Sequence, residues 1–81
     1  MTRYYFDLQE NGQLVADEEG MEFSSLNSVQ QEAVQTLGDL ARGMEFDVLE
    51  PGPQKAAISV RDDEGPVLNI DFMVSWNVFR Q

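Results

Sequence analysis

Residues 3–9, Arg-Tyr-Tyr-Phe-Asp-Leu-Gln, set Tyr4, Phe6 and Leu8 on one side and Tyr5, Asp7 and Gln9 on the other, and Asn11-Gly12 follows directly. A period of two is the signature of a half-buried strand. Asn-Gly is the dipeptide that best tolerates the positive φ required at both central positions of a two-residue type I′ turn. Together they constrain this chain more than any other feature. Glu10 must face Gln13, which puts Leu8 opposite Val15 and carries the core face into a short second strand over 13–16.

A second hairpin is written near the other end. Residues 56–61 form one strand and 67–76 the next, with Leu68, Ile70, Phe72, Val74 and Trp76 on a single face. A three-residue loop of Asp63, Glu64 and Gly65 pairs Val60 with Leu68 and Ile58 with Ile70. A two- or four-residue loop would set Ile58 against Asn69 and flip the strand. Parity therefore predicts a type I turn with Gly65 at a left-handed bulge position. Pro66 is the discordant residue, because it has no N–H to give to such a hairpin.

Between the hairpins, Leu26, Val29, Ala33, Leu37, Leu40 and Ala41 recur at helical spacing, with Asn27, Gln30, Gln31, Gln35 and Asp39 mostly on other faces. The spacing predicts a helix over 25–42. Ser25 is its N-cap, Arg42 complements the C-terminal dipole and Gly43 is the stop. Gly38 lies inside it and would allow close approach to the sheet. Residues 44–55 hold Pro51-Gly52-Pro53 and form the main loop, with Met44, Phe46, Val48 and Leu49 expected to tuck over the core edge. The resulting fold class is α+β: two antiparallel hairpins joined through one helix, β-β-α-β-β, a two-layer helix-on-sheet arrangement.

Composition decides what such a domain does not do. At 81 residues there is room for a single domain, 1–81, and 42% hydrophobic residues supply a modest core. Fifteen acidic residues against five basic ones give a net charge of −10, which argues against nucleic-acid or anionic-membrane partners. Without Cys or His the chain lacks a thiol nucleophile, the usual zinc ligands and the commonest general base. The opening residues hold no apolar run of signal-peptide length, and no stretch of about 18 apolar residues occurs anywhere. A cytoplasmic location is the expectation.

Two acidic runs remain, Asp17-Glu18-Glu19-Gly20 and Asp62-Asp63-Glu64-Gly65. Neither has the alternating ligands, central Gly and distant Glu of an EF-hand loop. Turn chemistry accounts for both: Asp accepts local backbone hydrogen bonds, Gly supplies positive φ, and the acids stay solvated. Asp7 and Asp71 would approach each other only if their strands were neighbours, and two carboxylates without a pocket do not make an acid–base site. No catalytic residue, cofactor or metal ligand is therefore assigned. Trp76 reads as a core or interface anchor. The outward sheet face is the candidate interaction surface: Tyr5, Asp7, Leu14, Arg61, Asn69, Asp71 and Met73, with Ala57 and Ser59 between them.

The run Arg3-Tyr4-Tyr5-Phe6-Asp7-Leu8, then Gly12, Leu14, Asp17-Glu18-Glu19-Gly20, a capped Ala/Leu-spaced helix and Val60-Arg61-Asp62-Asp63-Glu64-Gly65 with Val67-Leu68, resembles a domain-of-unknown-function family of small bacterial proteins. That family is common in soil and plant-associated bacteria. The resemblance spans about residues 2–74 and implies a soluble, stand-alone bacterial domain without a known activity, so it transfers no functional residue. Relatives often carry His where this chain has Asp7, which favours an ordinary exposed strand position there.

The functional expectation is a non-enzymatic module that binds itself or a protein partner through the open sheet face or a sheet edge. Two other classes compete with it. An acidic mimic of nucleic acid that occupies a basic protein would explain the charge, and a calcium-responsive domain would explain the acidic clusters.

Overall fold

The computed structural model describes residues 1–44 and 53–80. Five strands and one helix follow in the order β1 (Thr2–Glu10), β2 (Gln13–Val15), β3 (Met21–Phe23), α1 (Leu26–Gly43), β4 (Gln54–Asp62) and β5 (Gly65–Val74). All pairings are antiparallel, the sheet runs β2-β1-β4-β5, and β3 pairs with the other half of β1 on the same side as β2. The α+β class and the helix-on-sheet layering stand as read from sequence, with β3 as an additional strand. Met21-Glu22-Phe23 is a single cycle of alternation, too short to register as a strand before its partner is known.

The first hairpin follows its turn. Asn11 (φ 48°) and Gly12 (φ 86°) both take positive φ, and Glu10 faces Gln13 with Leu8 opposite Val15. Asn11 also docks the turn on β4: its N–H reaches the Lys55 carbonyl at 3.2 Å, and its Oδ1 accepts the Lys55 N–H at 3.3 Å. Val15, however, is 62% exposed. The reason is that α1 lies on β4, with smaller contacts to β3 and β5, so the short edge strand β2 extends beyond its cover.

In the second hairpin, Val60 pairs with Leu68 and Ile58 with Ile70, as parity requires, but the correction is made elsewhere than expected. Asp62 faces Gly65 across a two-residue turn, Arg61 faces Pro66, and the register shifts between Val60 and Arg61, leaving Val67 as the extra residue. Val67 and Leu68 both lean on the core, as consecutive residues at a bulge can. Pro66 is accommodated because β5 is an edge strand, where a missing donor is tolerated.

Among the described residues the buried apolar side chains are Val29 and Ala33 of α1 and Ala56, Ile58 and Val60 of β4. Tyr4, Phe6, Leu8, Phe23, Leu37, Leu68 and Ile70 pack around them. Phe23 extends this layer with tilted contacts to Tyr4 and Phe6, ring centroids 6.2 and 5.7 Å apart. Ser25 caps α1 through its Oγ, which accepts the Ser28 N–H at 3.2 Å. Gly43 does not stop the helix but is its last residue; Met44 leaves in extended conformation while donating to the Ala41 carbonyl. Gly38 makes no close approach to the sheet, since a Cβ there would meet only the Arg42 side chain at 3.9 Å.

Residues Gln54 and Lys55 belong to β4 rather than to the loop, and β5 ends at Val74, so Trp76 lies beyond the strand and is half-buried. The expectation that Phe46, Val48 and Leu49 tuck over the core, and the Pro51-Gly52 part of the loop, lie outside the described residues. Among the described residues no helix is long and apolar enough to cross a membrane.

Candidate functional site

Strand alternation places Tyr5, Asp7 and Gln9 of β1, Leu14 of β2, Lys55, Ala57, Ser59 and Arg61 of β4, and Asn69, Asp71 and Met73 of β5 on the face away from α1. All seven candidate residues share it, but the structure divides them. Tyr5, Asp7 and Arg61 are drawn into an internal network by the segment that follows β2, while Leu14, Asn69, Asp71 and Met73 remain exposed.

The network originates in a gap. β2 covers β1 at Leu8–Glu10 and β3 covers it at Thr2–Tyr4, so the Phe6 N–H between them has no strand to bond. Asp17 takes that place: one carboxylate oxygen accepts the Phe6 N–H at 3.1 Å and the other accepts the N–H groups of Glu19 and Gly20, each at 3.1 Å. An edge amide is satisfied by a side chain, and the same side chain shapes the turn.

Asp7 and Arg61 hold this segment against the sheet. Asp7 Oδ1 accepts the Asp17 N–H at 2.9 Å and its Oδ2 accepts Arg61 Nε at 2.9 Å. Arg61 also donates to the Asp17 carbonyl at 3.0 Å, with its guanidinium 4.5 Å from the centre of the Tyr5 ring. A planar fork that stacks and bonds in two directions suits this position, and the compact ammonium of Lys would not. Arg3 adds a hydrogen bond to the Glu19 carbonyl at 2.7 Å. Gly20 (φ 72°) lies so close that a Cβ would stand 2.9 Å from Tyr5 Cε1 and 3.0 Å from the Tyr4 carbonyl oxygen.

Burial raises the Asp17 carboxyl pKa, but the hydrogen bonds from Phe6, Gly20 and Glu19 and the charge of Arg61 outweigh it and hold the group below its ordinary 3.8. Its oxygens are thus committed to the chain's own amides. In the second acidic run, Asp62 Oδ1 accepts the Glu64 N–H at 2.8 Å and Gly65 has φ 126°, as the turn reading expects. Among the described residues, no group of three or more acids is arranged to hold a metal ion. Asp7 and Asp71 are not neighbours: β4 separates their strands, with Asp7 opposite Ser59 and Asp71 opposite Ala57.

What stays open is the other end of the face. A groove of about 470 Å3 runs along it, lined by Gln9, Gly12, Lys55, Ala57, Asp71 and Met73, with Phe72 on its wall. Leu14 and Met73 are 64% and 60% exposed, an apolar pair separated by the polar row between them. Beside the groove runs the outer edge of β5, which no other described strand pairs.

The family model described as a domain of unknown function, DUF6894, matches residues 3–73, from the first residues of β1 nearly to the end of β5. The chain belongs to this family. In this chain the matched region takes in α1, the Asp17 network and all of the sheet but its terminal residues Thr2 and Val74, and membership brings no activity with it. Comparisons with curated proteins and with solved structures found no match.

Two groove residues escaped the sequence reading. Lys55 sits within a run that the adjacent Pro51-Gly52-Pro53 marks as loop, although Gln54-Lys55-Ala56-Ala57 continues the alternation of β4 backwards. Alternation alone makes Gln9 outward, but its place between Leu14 and Ala57 depends on the strand order β2-β1-β4.

Proposed function

We propose that this DUF6894 domain is a non-enzymatic protein-interaction module that binds a partner along β5 and the adjoining open groove. The observation that carries this reading is the contrast between the two sides of the sheet. β1 has its outer side filled by β2, Asp17 and β3 in succession, whereas β5 presents ten residues with no described strand beyond them. A long unpaired edge is a standing invitation to another chain unless it is put to use. The exposed Met73 and Leu14 flank polar groups in the manner of a small interface.

Support for a non-enzymatic role comes from the carboxylates. Asp7 and Asp17 hold the fold together, and Asp71 stands exposed without a second acid opposite it. A bacterial, cytoplasmic setting belongs to the same reading.

The test is a photoactivatable amino acid in place of Met73, irradiated in living cells that make the protein. A discrete adduct is expected, weakened by Leu14→Glu and absent when the probe sits at Gln31 on the outer side of α1. An adduct of twice the monomer mass would identify a second copy as the partner. Equal labelling from both positions, or none from position 73, would overturn the proposal.

A further inference from the structure

We infer that the partner of β5 is an extended basic segment of another protein, which adds to the sheet as a further strand with alternating basic and apolar side chains. The inference rests on the interaction reading above and names the chemistry of the occupant.

Geometry supplies the first part. Beyond the bulge at Val67, β5 runs in unbroken register with β4 from Val60–Leu68 to Gln54–Val74. At about 3.3 Å per residue this leaves roughly 20 Å of regular edge, enough for a docked strand of ordinary length. The opposite side offers only β2 and β3, three residues each, interrupted by the Asp17 segment. Strand addition at an edge draws its affinity from main-chain hydrogen bonds and its selectivity from alternate side chains.

Charge supplies the second. Asp71 is exposed midway along the edge, and the turn at its start carries Asp62, Asp63 and Glu64. The nearby Arg61 is neutralised by Asp7, Arg3 and Arg42 face Glu22 and Asp39, and Lys55, opposite Met73 on the strand inside β5, sets one positive charge against the four acids of this edge and its turn, Asp62, Asp63, Glu64 and Asp71. A second copy would bring another net charge of −10 to this edge, whereas a basic strand would be drawn to it. Charges on edge strands commonly guard against pairing with like edges; here the same Asp71 selects for the opposite sign.

The faces of β5 set the pattern. Asn69, Asp71 and Met73 project to the open side, and the half-buried Leu68, Ile70 and Phe72 to the helix side. An added strand would therefore present Lys or Arg toward Asp71 and apolar residues that extend the layer under α1.

The experiment uses the full 81-residue chain, labelled with nitrogen-15, and end-capped seven-residue peptides alternating Lys with Val, Lys with Gly and Glu with Val. The Lys-Val peptide is expected to shift the amides of residues 68–74 and slow their hydrogen exchange, with affinity falling as salt rises. Asp71→Lys is expected to weaken it about tenfold, an effect of the size of a charge reversal at a partly shielded pair, with an unchanged spectrum elsewhere showing that the fold is intact. Equal binding by Lys-Gly without slowed exchange would reduce the edge to a nonspecific acidic patch and overturn strand addition. Equal binding by Glu-Val would overturn the choice of charge. Concentration-dependent protection of 68–74 without peptide would make the occupant a second copy, against the inference. Failure of every peptide while the position-73 adduct persists would overturn the basic-strand partner and leave the interaction module standing; loss of both would remove both.

Discussion

Asp17 fills the interval that β2 and β3 leave on β1, and three backbone N–H groups depend on its two oxygens. Replacing it with Asn removes the charge, and one of the two acceptors becomes a donor facing the chain's own amides. A loss of about 1–3 kcal/mol is expected, the scale for charged acceptors of backbone bonds. The pH dependence gives this an independent signature. The folded-state pKa lies below the ordinary 3.8, so the stabilisation is fully present above that value and disappears as pH falls through the depressed one. Urea melts of the native chain and Asp17→Asn should differ at pH 6 and converge in strong acid; a constant gap would show that the carboxylate charge is not what matters. Gly20 belongs to the same locus. Gly20→Ala combines positive φ with contacts of 2.9 Å to Tyr5 and 3.0 Å to backbone, and a cost of about 1–3 kcal/mol is expected from the same melts.

At the scale of elements, α1 sits on the sheet through few side chains, with Val29 and Ala33 fully buried and Leu37 partly so. Gly38 plays no part in that contact, because a Cβ there meets open space apart from the far end of Arg42. Gly38→Ala should therefore stabilise the domain by about 0.5–1 kcal/mol through helix propensity alone, read as a higher urea midpoint at unchanged slope. Destabilisation would instead reveal a close approach at that position. The same residues show what was legible in the sequence. Asn11-Gly12 dictates its hairpin locally, and the apolar parity of Ile58 and Val60 against Leu68 and Ile70 dictates the second register. The position of the bulge was not legible, since Gly65 and Val67 both restore that parity and only the turn geometry chooses between them. β3 and the division of the open face were hidden for another reason. Both depend on Asp17 reaching Phe6 and Asp7 across ten or eleven residues, a long-range pairing with no periodic signature.

The whole molecule joins a thin core to a large charge. Among the described residues five apolar side chains are buried, the body measures 53 × 21 × 17 Å, and the net charge is −10. At about 0.01 M salt the Debye length of roughly 30 Å exceeds two of those dimensions, so carboxylates on opposite faces repel one another through the molecule; at about 1 M it is near 3 Å and they do not. Salt also weakens the ion pairs, but Arg3–Glu22 and Arg42–Asp39 are exposed and contribute little. Among the pairs of the described residues only Arg61–Asp7 is partly sheltered, with the Asp7 side chain 15% exposed, and its hydrogen bond outlasts screening. Relief of the long-range repulsion should therefore dominate. The melting temperature at pH 7 is expected to rise by about 5 °C between these salt concentrations, the shift that about 1 kcal/mol produces in a domain of this size. A melting temperature that fell with salt would mean that the local pairs, Arg61–Asp7 foremost, outweigh the global charge. The spare negative potential that the basic-strand inference draws upon would then be largely spent inside the fold.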